Sequence, residues 1–343
     1  MIMEDMRFVS EIGSEFHAER IGVIRNSFFL SYGELVFSGR TAIETVLKEA
    51  PYAKKALLPS YCCESMIIPF RKAGIEVDFY DVWYKNGMQF SIGISADTDI
   101  LLWCNYFGFN NAMPDCSSFI ERGGIIIEDI THSLLSAHQF HNQSHYHVAS
   151  IRKWEPINCG GYCASAKGKL YHIPNNAPAD DFLKIKQDAM KLKAEYLCDH
   201  DELKKPKFLR MFGESNSWLA ENYSGLSIDQ WSREYLSKVD IQRQREIRCS
   251  NAHILYNGLK DTVQFMFKEE EMDCPLFVPI LLPEKRGDVR AGLAANGVYC
   301  PIHWPKPQVC ESNLYDMELS LICDQRYKEE DMERIVTVLN DLL

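Results

Sequence analysis

The chain has 343 residues, of which 46% are hydrophobic and 25% charged, a composition typical of a globular protein long enough for two domains. The formal net charge of −11 argues against a nucleic-acid-binding surface, because phosphate binding requires clustered lysines and arginines. No apolar run approaches the roughly 20 residues that a membrane helix needs. Residues 1–7 carry acids where a secretion signal carries a basic flank. We therefore expect a cytoplasmic protein that binds neither nucleic acid nor a membrane.

Twelve cysteines and a group of histidines raise the question of disulfides or a metal site. In a chain of this length without a secretion signal we expect reduced, mostly buried thiols. Cys159 and Cys163 are separated by three residues, and no second ligand pair follows at zinc spacing. The histidines lie in a polar stretch that we interpret as a solvated loop: His138, His141, His145 and His147. No metal site is predicted.

Short apolar runs alternate with polar or helix-patterned segments over the first half of the chain, at 55–59, 75–80, 99–104 and 124–128. Such alternation predicts an α/β fold with a mostly parallel sheet flanked by helices. From about Ser227 to Leu259 the pattern becomes helical and charged, which we interpret as the connection into a second domain. We predict a large domain over residues 1–232 and a smaller C-terminal α+β domain over residues 233–343.

Asp129 ends one of these apolar runs, and Lys153 follows it 24 positions later. Ligands of parallel sheets bind at the carboxyl ends of the strands, where Asp129 is expected. Pyridoxal phosphate requires both kinds of group, a lysine that holds it as an imine and a carboxylate that keeps its ring nitrogen protonated. Since most strands are followed somewhere by a lysine, the pair becomes informative only through its neighbours.

A glycine turn at Gly39 leads into a helical pattern. Glycine allows close approach of the backbone, and the free amides of Arg40 and Thr41 at a helix start can hold the phosphate of such a cofactor. An ordinary N-cap is the more frequent alternative for this pattern taken alone. Ser150 is a candidate second donor to the phosphate. Arg152 either supplies charge to the phosphate or pairs with a surface acid.

Six segments occur in an order that one enzyme family shares. Segment 38–43 is similar to its phosphate-binding turn, 58–81 to the next helix and strand, and 105–108 to a turn ending in Tyr-Gly. Segment 127–132 is similar to its Glu-Asp-x-x-His/Gln motif, 153–161 has its spacing from an imine lysine to a Gly-Gly pair, and 297–305 is similar to a small-domain segment with His and Pro. Through them most of the chain resembles the DegT/StrS-type sugar aminotransferases, of the aspartate-aminotransferase-like group of pyridoxal phosphate enzymes.

The resemblance implies the fold of the pyridoxal-phosphate-dependent transferases and a site for that cofactor. It implies that Lys153 forms the imine and then acts as general base, and that Asp129 keeps the ring nitrogen protonated. His132 would lie against the ring or its phenolic oxygen, with a buried core histidine as the alternative. Because this fold type usually builds each active site at a subunit interface, the resemblance also implies a homodimer.

Several positions depart from the family pattern. Val148 stands where the family usually has a serine before the lysine, which leaves Ser150 as the nearest hydroxyl. Cys63 stands where the ring-stacking aromatic usually lies, so Tyr61 is a substitute candidate, with a core tyrosine as the alternative. Asn222 corresponds to the asparagine that the family supplies from the partner subunit. These departures indicate a divergent branch.

The predicted function is a pyridoxal-phosphate-dependent aminotransferase that moves an amino group from glutamate to a keto group of a nucleotide-linked sugar. One alternative is another reaction of the same cofactor on the same fold, such as a decarboxylase, aldolase or dehydratase. Related sugar dehydratases replace the imine lysine by histidine, so Lys153 argues against that variant. The other alternative is a non-catalytic relative that serves in an assembly.

Overall fold

The computed structural model describes residues 11–19, 33–110, 112–136 and 141–343. Two sequence-based expectations lie outside these residues, namely the nature of the segment 1–7 and the loop position of His138. The strands are β1 (Ile12–Gly13), β2 (Gly33–Val36), β3 (Lys55–Pro59), β4 (Glu76–Tyr84), β5 (Met88–Ser91), β6 (Ile100–Cys104), β7 (Ile125–Asp129), β8 (Tyr146–Ser150), β9 (Gly161–Ser165), β10 (Gln264–Phe265), β11 (Val278–Leu281), β12 (Val298–Tyr299) and β13 (Glu318–Leu321).

The helices alternate with these strands in the first half of the chain and dominate the second. They are α1 (Gly39–Lys48), α2 (Glu64–Lys72), α3 (Ser117–Glu121), α4 (Asp180–Asp199), α5 (Lys205–Glu221), α6 (Gln230–Leu236), α7 (Ile241–Leu259), α8 (Arg286–Ala295), α9 (Leu314–Met317) and α10 (Glu329–Leu342). Single turns of 3-10 helix lie at Ile151–Lys153 and Glu269–Glu271.

A central eight-stranded sheet has the strand order β2-β9-β8-β7-β6-β3-β4-β5. Its inner strands β4, β3, β6, β7 and β8 are parallel, and β2, β9 and β5 pair antiparallel. The predicted mostly parallel sheet is therefore confirmed. The run predicted at 75–80 continues to Tyr84, because residues 81–84 pair with β5.

Strands β6 and β7 are buried along their whole length. This explains their nearly continuous apolar sequences, because parallel strands in the middle of an α/β sheet are covered on both faces. The last residue of β7, Asp129, lies opposite Cys104 of β6 and Val148 of β8. The carboxyl edge of the sheet thus brings a buried acid next to the segment that follows β8.

The C-terminal part contains a smaller sheet, in the order β10-β11-β13, packed with helices. Helix α10 contacts α7 and α8 there, so the expected smaller α+β unit is present. Strand β1 pairs in parallel with β12, which joins the segment 11–19 to this C-terminal part. The division between residues 232 and 233 remains a prediction.

All twelve cysteines have free thiols, and nine of them are buried. The solvated-loop interpretation is wrong for His147, which lies buried on β8 opposite Glu128 of β7. Its Nε2 atom lies 3.5 Å from Oε2 of Glu128, a buried carboxylate that needs polar partners. Among the described residues no group of three or more His, Cys, Asp or Glu side chains is arranged to hold a metal. No helix of this part of the chain is long and apolar enough to cross a membrane.

Candidate active site

Asp129 lies at the floor of a pocket formed at the carboxyl edge of the central sheet. Its side chain is only 6% exposed. The Oδ1 atom accepts a hydrogen bond from the backbone amide of Thr131 at 2.8 Å, and the side chain of Thr131 also bonds to the carboxyl. Burial raises the pKa of Asp129, although the hydrogen bonds from Thr131 oppose this shift. The pocket therefore contains a buried carboxyl within electrostatic reach of Lys153.

Lys153 enters the same pocket from the segment that follows β8. That strand ends at Ser150, and one turn of 3-10 helix carries the chain to Lys153. The turn is closed by a 2.8 Å hydrogen bond from the amide of Trp154 to the carbonyl of Ile151. Since β7 and β8 are adjacent and parallel, the strand-end acid and the post-strand lysine meet at one edge of the sheet.

His132 completes this corner of the pocket. Its Nε2 atom lies 3.2 Å from Nζ of Lys153, and its Nδ1 atom lies 3.3 Å from the backbone amide nitrogen of Phe107. Because a backbone amide can only donate, Nδ1 is the acceptor nitrogen. Burial lowers the pKa of His132 well below its ordinary value, so the ring is neutral and its proton sits on Nε2.

The tautomer of His132 determines the direction of its contact with Lys153. With the proton on Nε2, the ring points its N–H group at the lysine nitrogen. A free lone pair on that nitrogen is what imine formation requires. His132 thus contacts the lysine and also packs among core aromatic side chains, so its predicted role against the cofactor ring stays a prediction.

The phosphate turn differs in detail from the expectation. Ser38 is the N-cap of α1, and its Oγ atom accepts from the amide of Thr41 at 3.2 Å. The Thr41 hydroxyl donates to the carbonyl of Tyr223 at 2.8 Å. Both polar groups of Thr41 are therefore already paired. The amides of Gly39 and Arg40 are the ones without a hydrogen-bond partner among the described residues, so they are the better candidates for holding an anion.

Glycines bring this turn close to the segment around Lys153. A Cβ atom on Gly161 would lie 2.1 Å from the carbonyl oxygen of Ser38, and one on Gly39 would lie 3.1 Å from Cβ of Ser150. The second glycine of the Gly-Gly pair is thus required by close packing between β9 and the turn. Ser150 lines the pocket, and its hydroxyl has no partner among the described residues.

Two arginines lie at the same end of the pocket. The Nε atoms of Arg40 and Arg152 are buried and lack a hydrogen-bond partner in the described part of the chain. Burial raises the pKa of Glu15, but Lys186 and Arg152 act more strongly together and lower it to about 2. Arg152 therefore faces both the pocket and Glu15. Its two predicted roles, supplying charge to the phosphate and pairing with an acid, both stay open. Buried unpaired donors next to free helix amides favour an anion here.

Tyr61 does not line the pocket, and its interpretation as a ring-stacking residue is wrong. It is fully buried, with its ring 5.5 Å from that of Tyr106 and 5.1 Å from that of Tyr315. It is the core tyrosine that was its alternative. Tyr61 lies two residues after β3 and packs among aromatic side chains, whereas Cys63, two residues later, lines the pocket.

The aromatic side chain of the pocket is Trp304, which the sequence analysis did not select. The Nζ atom of Lys153 lies 5.5 Å from its ring centroid, and the ring of His132 lies 5.4 Å away at an interplanar angle of 30°. The available signal was its position directly after His303 in the segment 297–305, which resembled the family.

Asn222 lies apart from the other predicted site residues. It is exposed at the end of α5, and its side-chain amide donates to the carbonyl of Trp218 at 2.9 Å. It does not line the pocket of its own chain. A role in a partner subunit therefore remains a prediction.

A cleft of about 980 Å³ lies beside the pocket and shares Arg40, Arg152 and Lys153 with it. Helix α8 and the segment 298–303 form one wall, and the segment 14–16 lies at the rim. Six arginine side chains line the cleft, against only two acids: Arg40, Arg152, Arg248, Arg286, Arg290 and Arg326. In a chain with a net charge of −11, this local positive charge favours an anionic ligand.

The residues present fit pyridoxal phosphate, the cofactor that the sequence implies. Gly39 and Arg40 offer free amides to the phosphate, and Ser150 offers a hydroxyl. The buried carboxyl of Asp129 suits a protonated ring nitrogen, and Lys153 supplies the amine. The fit rests on the buried Nε atoms of Arg40 and Arg152, which have no hydrogen-bond partner in the described part of the chain and lie where the phosphate would bind.

Comparisons with known proteins agree with this fold. No protein-family profile and no curated protein sequence matches the chain. A DegT DnrJ EryC1 StrS aminotransferase from Brucella abortus has a TM-score of 0.60 at 16% identity, covering 90% of this chain and 85% of that one. Spr1654 from Streptococcus pneumoniae, in its PLP form, has a TM-score of 0.60 at 11% identity, covering 91% of this chain and 88% of that one.

DesI, determined in the presence of its TDP-sugar product, has a TM-score of 0.59 at 13% identity, covering 90% of this chain and 79% of that one. The similarity extends over almost the whole chain in each case, and the sequence identity is low throughout. The chain therefore has the fold of the DegT/DnrJ/EryC1/StrS sugar aminotransferases, as the resemblance of its motifs implied.

Proposed function

We propose that the protein is a pyridoxal-phosphate-dependent aminotransferase that moves an amino group from glutamate to a keto group of a nucleotide-linked sugar. The observation that carries this proposal is the 3.2 Å contact between Lys153 and His132, in a pocket that also holds the buried carboxyl of Asp129. The fold shared with sugar aminotransferases supports it.

In this proposal Lys153 holds the cofactor covalently, and Asp129 pairs with its ring nitrogen. The free amides of Gly39 and Arg40 and the hydroxyl of Ser150 bind its phosphate. Trp304 packs along the ring in place of the aromatic that is missing at Cys63. When bound, pyridoxal phosphate supplies a protonated ring that takes up the electron pair left by a broken substrate C–H bond.

The protein's own groups would then move the proton. Once released from the cofactor, the Nζ atom of Lys153 takes the proton from the substrate carbon and later returns it to the cofactor side. The Nε2 atom of His132, 3.2 Å from Nζ, positions the amine at this end of the pocket. Asp129 carries the negative charge that holds the ring nitrogen in its protonated form.

The cleft supports an anionic substrate. Its arginines would attract the carboxylates of a donor such as glutamate or the phosphates of a nucleotide-linked sugar. DesI, which shares the fold, was determined with its TDP-sugar product. A volume of about 980 Å³ is at the upper end of the range of small-molecule sites, which suits a ligand of that size.

We also propose a homodimer. The support is the resemblance to the family and the position of Asn222, which is exposed and outside its own pocket. Sedimentation equilibrium of the full chain would test the homodimer. An Asn222→Ala variant of the same oligomeric state would test the role of Asn222. A weaker affinity for pyridoxal phosphate in that variant is expected if Asn222 reaches the partner's cofactor.

Absorbance of the purified protein titrated with pyridoxal phosphate tests the central proposal. We expect a band near the visible edge that disappears when L-glutamate is added, with 2-oxoglutarate formed in equal amount. Formation of carbon dioxide or of another product in place of 2-oxoglutarate would instead support a different reaction of the cofactor. A protein that never takes up the cofactor contradicts the proposal.

A further inference from the structure

His303 is a second histidine at the active-site cleft that the proposed mechanism does not use. It follows β12 in the segment that also carries Trp304, and it lines the cleft together with Lys153. Its ring lies 5.2 Å from that of His132 and 5.3 Å from that of Trp304. The residue is 6% exposed, so its orientation is held by the surrounding structure.

A chain of hydrogen bonds anchors His303 to β13. Its Nδ1 atom lies 2.8 Å from Oγ of Ser320, and Ser320 bonds in turn to Oε1 of Glu318. The backbone amide of His303 donates to Oε2 of the same Glu318 at 2.7 Å. Ser320 and Glu318 are both fully buried. One carboxylate oxygen of Glu318 thus accepts from Ser320 and the other from the backbone of His303.

The chemistry of these groups gives the direction of each bond. A carboxylate can only accept, so the single hydroxyl proton of Ser320 goes to Glu318. The Oγ atom of Ser320 must then accept from Nδ1 of His303, which therefore carries a proton. Burial lowers the pKa of His303, although Glu318 opposes this shift, so the ring is neutral. The opposite nitrogen, Nε2, is consequently a hydrogen-bond acceptor without a partner among the described residues.

We propose that His303 is a substrate-binding residue whose Nε2 atom accepts a hydrogen bond from a hydroxyl or ammonium group of the substrate. Glu318 and Ser320 are its positioning residues, since they hold the ring in the one tautomer that leaves Nε2 free to accept. The nature of the substrate rests on the proposed function, but the tautomer of His303 does not.

The two histidines then have opposite roles. His132 presents a proton from Nε2 towards Lys153, while His303 presents a lone pair from Nε2. The charged or titratable groups that face His303 are Glu318 from β13, Lys153 from the segment after β8 and His132 from the loop after β7. The ring centroids of the two histidines lie 5.2 Å apart, so Nε2 of His303 offers an acceptor beside the pair of His132 and Lys153.

Long-range ¹H–¹⁵N spectra of the full chain, labelled with ¹⁵N-histidine and loaded with pyridoxal phosphate, measure this tautomer directly. The signals of His303 are identified by their loss in a His303→Gln variant. We expect a protonated Nδ1 and an unprotonated Nε2 in the wild type. In Ser320→Ala the preference for this tautomer should be lost. The second variant, Glu318→Gln, tests the same preference through the other positioning residue. A protonated Nε2 in the wild type contradicts the proposal.

The same spectra test substrate binding without turnover. L-glutamate presents an ammonium group and no hydroxyl, whereas a TDP-linked keto-sugar presents hydroxyls. An upfield shift of Nε2 with either probe supports the proposal and identifies the donor group, while no shift with both contradicts it. In steady-state assays, His303→Leu should raise the KM for the probe that shifts Nε2 by about tenfold, and His303→Gln should restore much of it.

The outcomes separate this proposal from the proposed function. Uptake of pyridoxal phosphate by His303→Leu should remain at the wild-type level, because His303 is not among the residues proposed to hold the cofactor. If the wild type does not bind the cofactor, the proposed function is contradicted. The spectra would still determine the tautomer of His303 and whether each probe binds to it.

Discussion

The side chains of His132 and Lys153 meet at 3.2 Å between Nε2 and Nζ, although they belong to different loops at the carboxyl edge of the sheet. His132 follows β7, and Lys153 follows β8. The backbone amide of Phe107, from the loop after β6, holds the other nitrogen of the histidine. Three consecutive strand ends of one parallel sheet thus set the direction of a single hydrogen bond to the candidate catalytic amine.

Replacement of Lys153 by alanine should abolish the absorbance band of the lysine-bound cofactor, because no other amine lines the pocket within the described residues. Titration with pyridoxal phosphate followed by spectroscopy measures this. Lys169→Ala, at an exposed position, is the matched control and should retain the band. A band of normal intensity in Lys153→Ala would place the attachment site elsewhere.

Replacement of Asp129 by asparagine preserves the shape of the side chain but removes its negative charge. We expect the cofactor to attach as before, while half-transfer with L-glutamate slows by at least about 100-fold, since a charge buried beside the ring nitrogen acts at low dielectric. Stopped-flow loss of the absorbance band measures the rate. Equal rates in wild type and variant would refute the pairing of Asp129 with the cofactor.

Trp304→Ala should weaken the binding of pyridoxal phosphate by about tenfold, because an aromatic contact typically contributes on the order of 1 kcal/mol. Its ring is 8% exposed and packs against His132 and Lys153. Trp231→Ala provides the control, since that tryptophan is 41% exposed on α6. If both variants bind the cofactor alike, Trp304 does not contact it.

Gly161→Ala should destabilise the fold by about 1 to 3 kcal/mol and weaken cofactor binding together. The added Cβ atom would lie 2.1 Å from the carbonyl oxygen of Ser38 and must displace the phosphate turn. Gly168→Ala is the control, because no atom lies within 4 Å of its added Cβ. Thermal unfolding and cofactor titration check the two effects. A neutral Gly161→Ala would show that the turn is not tightly packed.

Glu155, two residues after Lys153, should make the stability of the protein depend on pH. Burial raises its pKa to about 8, although Gln244 and Arg248 oppose the shift. The unfolded chain releases this proton near pH 4.5, whereas the folded chain keeps it until about pH 8. The contribution of Glu155 to the free energy of unfolding is therefore fully present below pH 4.5 and is lost as the pH rises to about 8.

The size of this loss should be several kcal/mol, since one pH unit corresponds to about 1.4 kcal/mol. Glu155→Gln cannot ionise, so it should be more stable than the wild type at pH 8 and less dependent on pH. Chemical denaturation between pH 5 and pH 8 measures the difference. Glu221→Gln, at an exposed position, should behave like the wild type. A parallel pH profile of wild type and Glu155→Gln would contradict the burial argument.

Much of the scaffold of the site was predictable because its signals are local. Buried parallel strands need nearly continuous apolar runs, so the ends of β3, β6 and β7 were found within a residue. Asp129 follows from the same pattern, because it lies at the end of such a run, whereas Lys153 was selected through the family resemblance. The structure brings both into one pocket with His132.

The details that were wrong depend on which neighbours each side chain meets. Thr41 has its hydroxyl taken by Tyr223, which is 182 positions away in the chain. His147 looked like a loop residue, but strand pairing places it opposite Glu128. Tyr61 and Cys63 differ only in which side of one short turn they occupy. Such contacts form when the folded chain packs residues from distant positions together. No local sequence pattern therefore predicts them.

The sequence by itself determined the α/β class and the parallel core of the sheet. These follow from hydrophobic periodicity and from the topology of parallel sheets, which act over a few residues at a time. Asp129 and Lys153 were selected through the family resemblance, and the structure places both in one pocket. Only the tertiary structure decided that Trp304 is the pocket aromatic and that His303 is oriented by Ser320 and Glu318. The reason is that hydrogen-bond direction and side-chain contact depend on atoms brought together from distant parts of the chain.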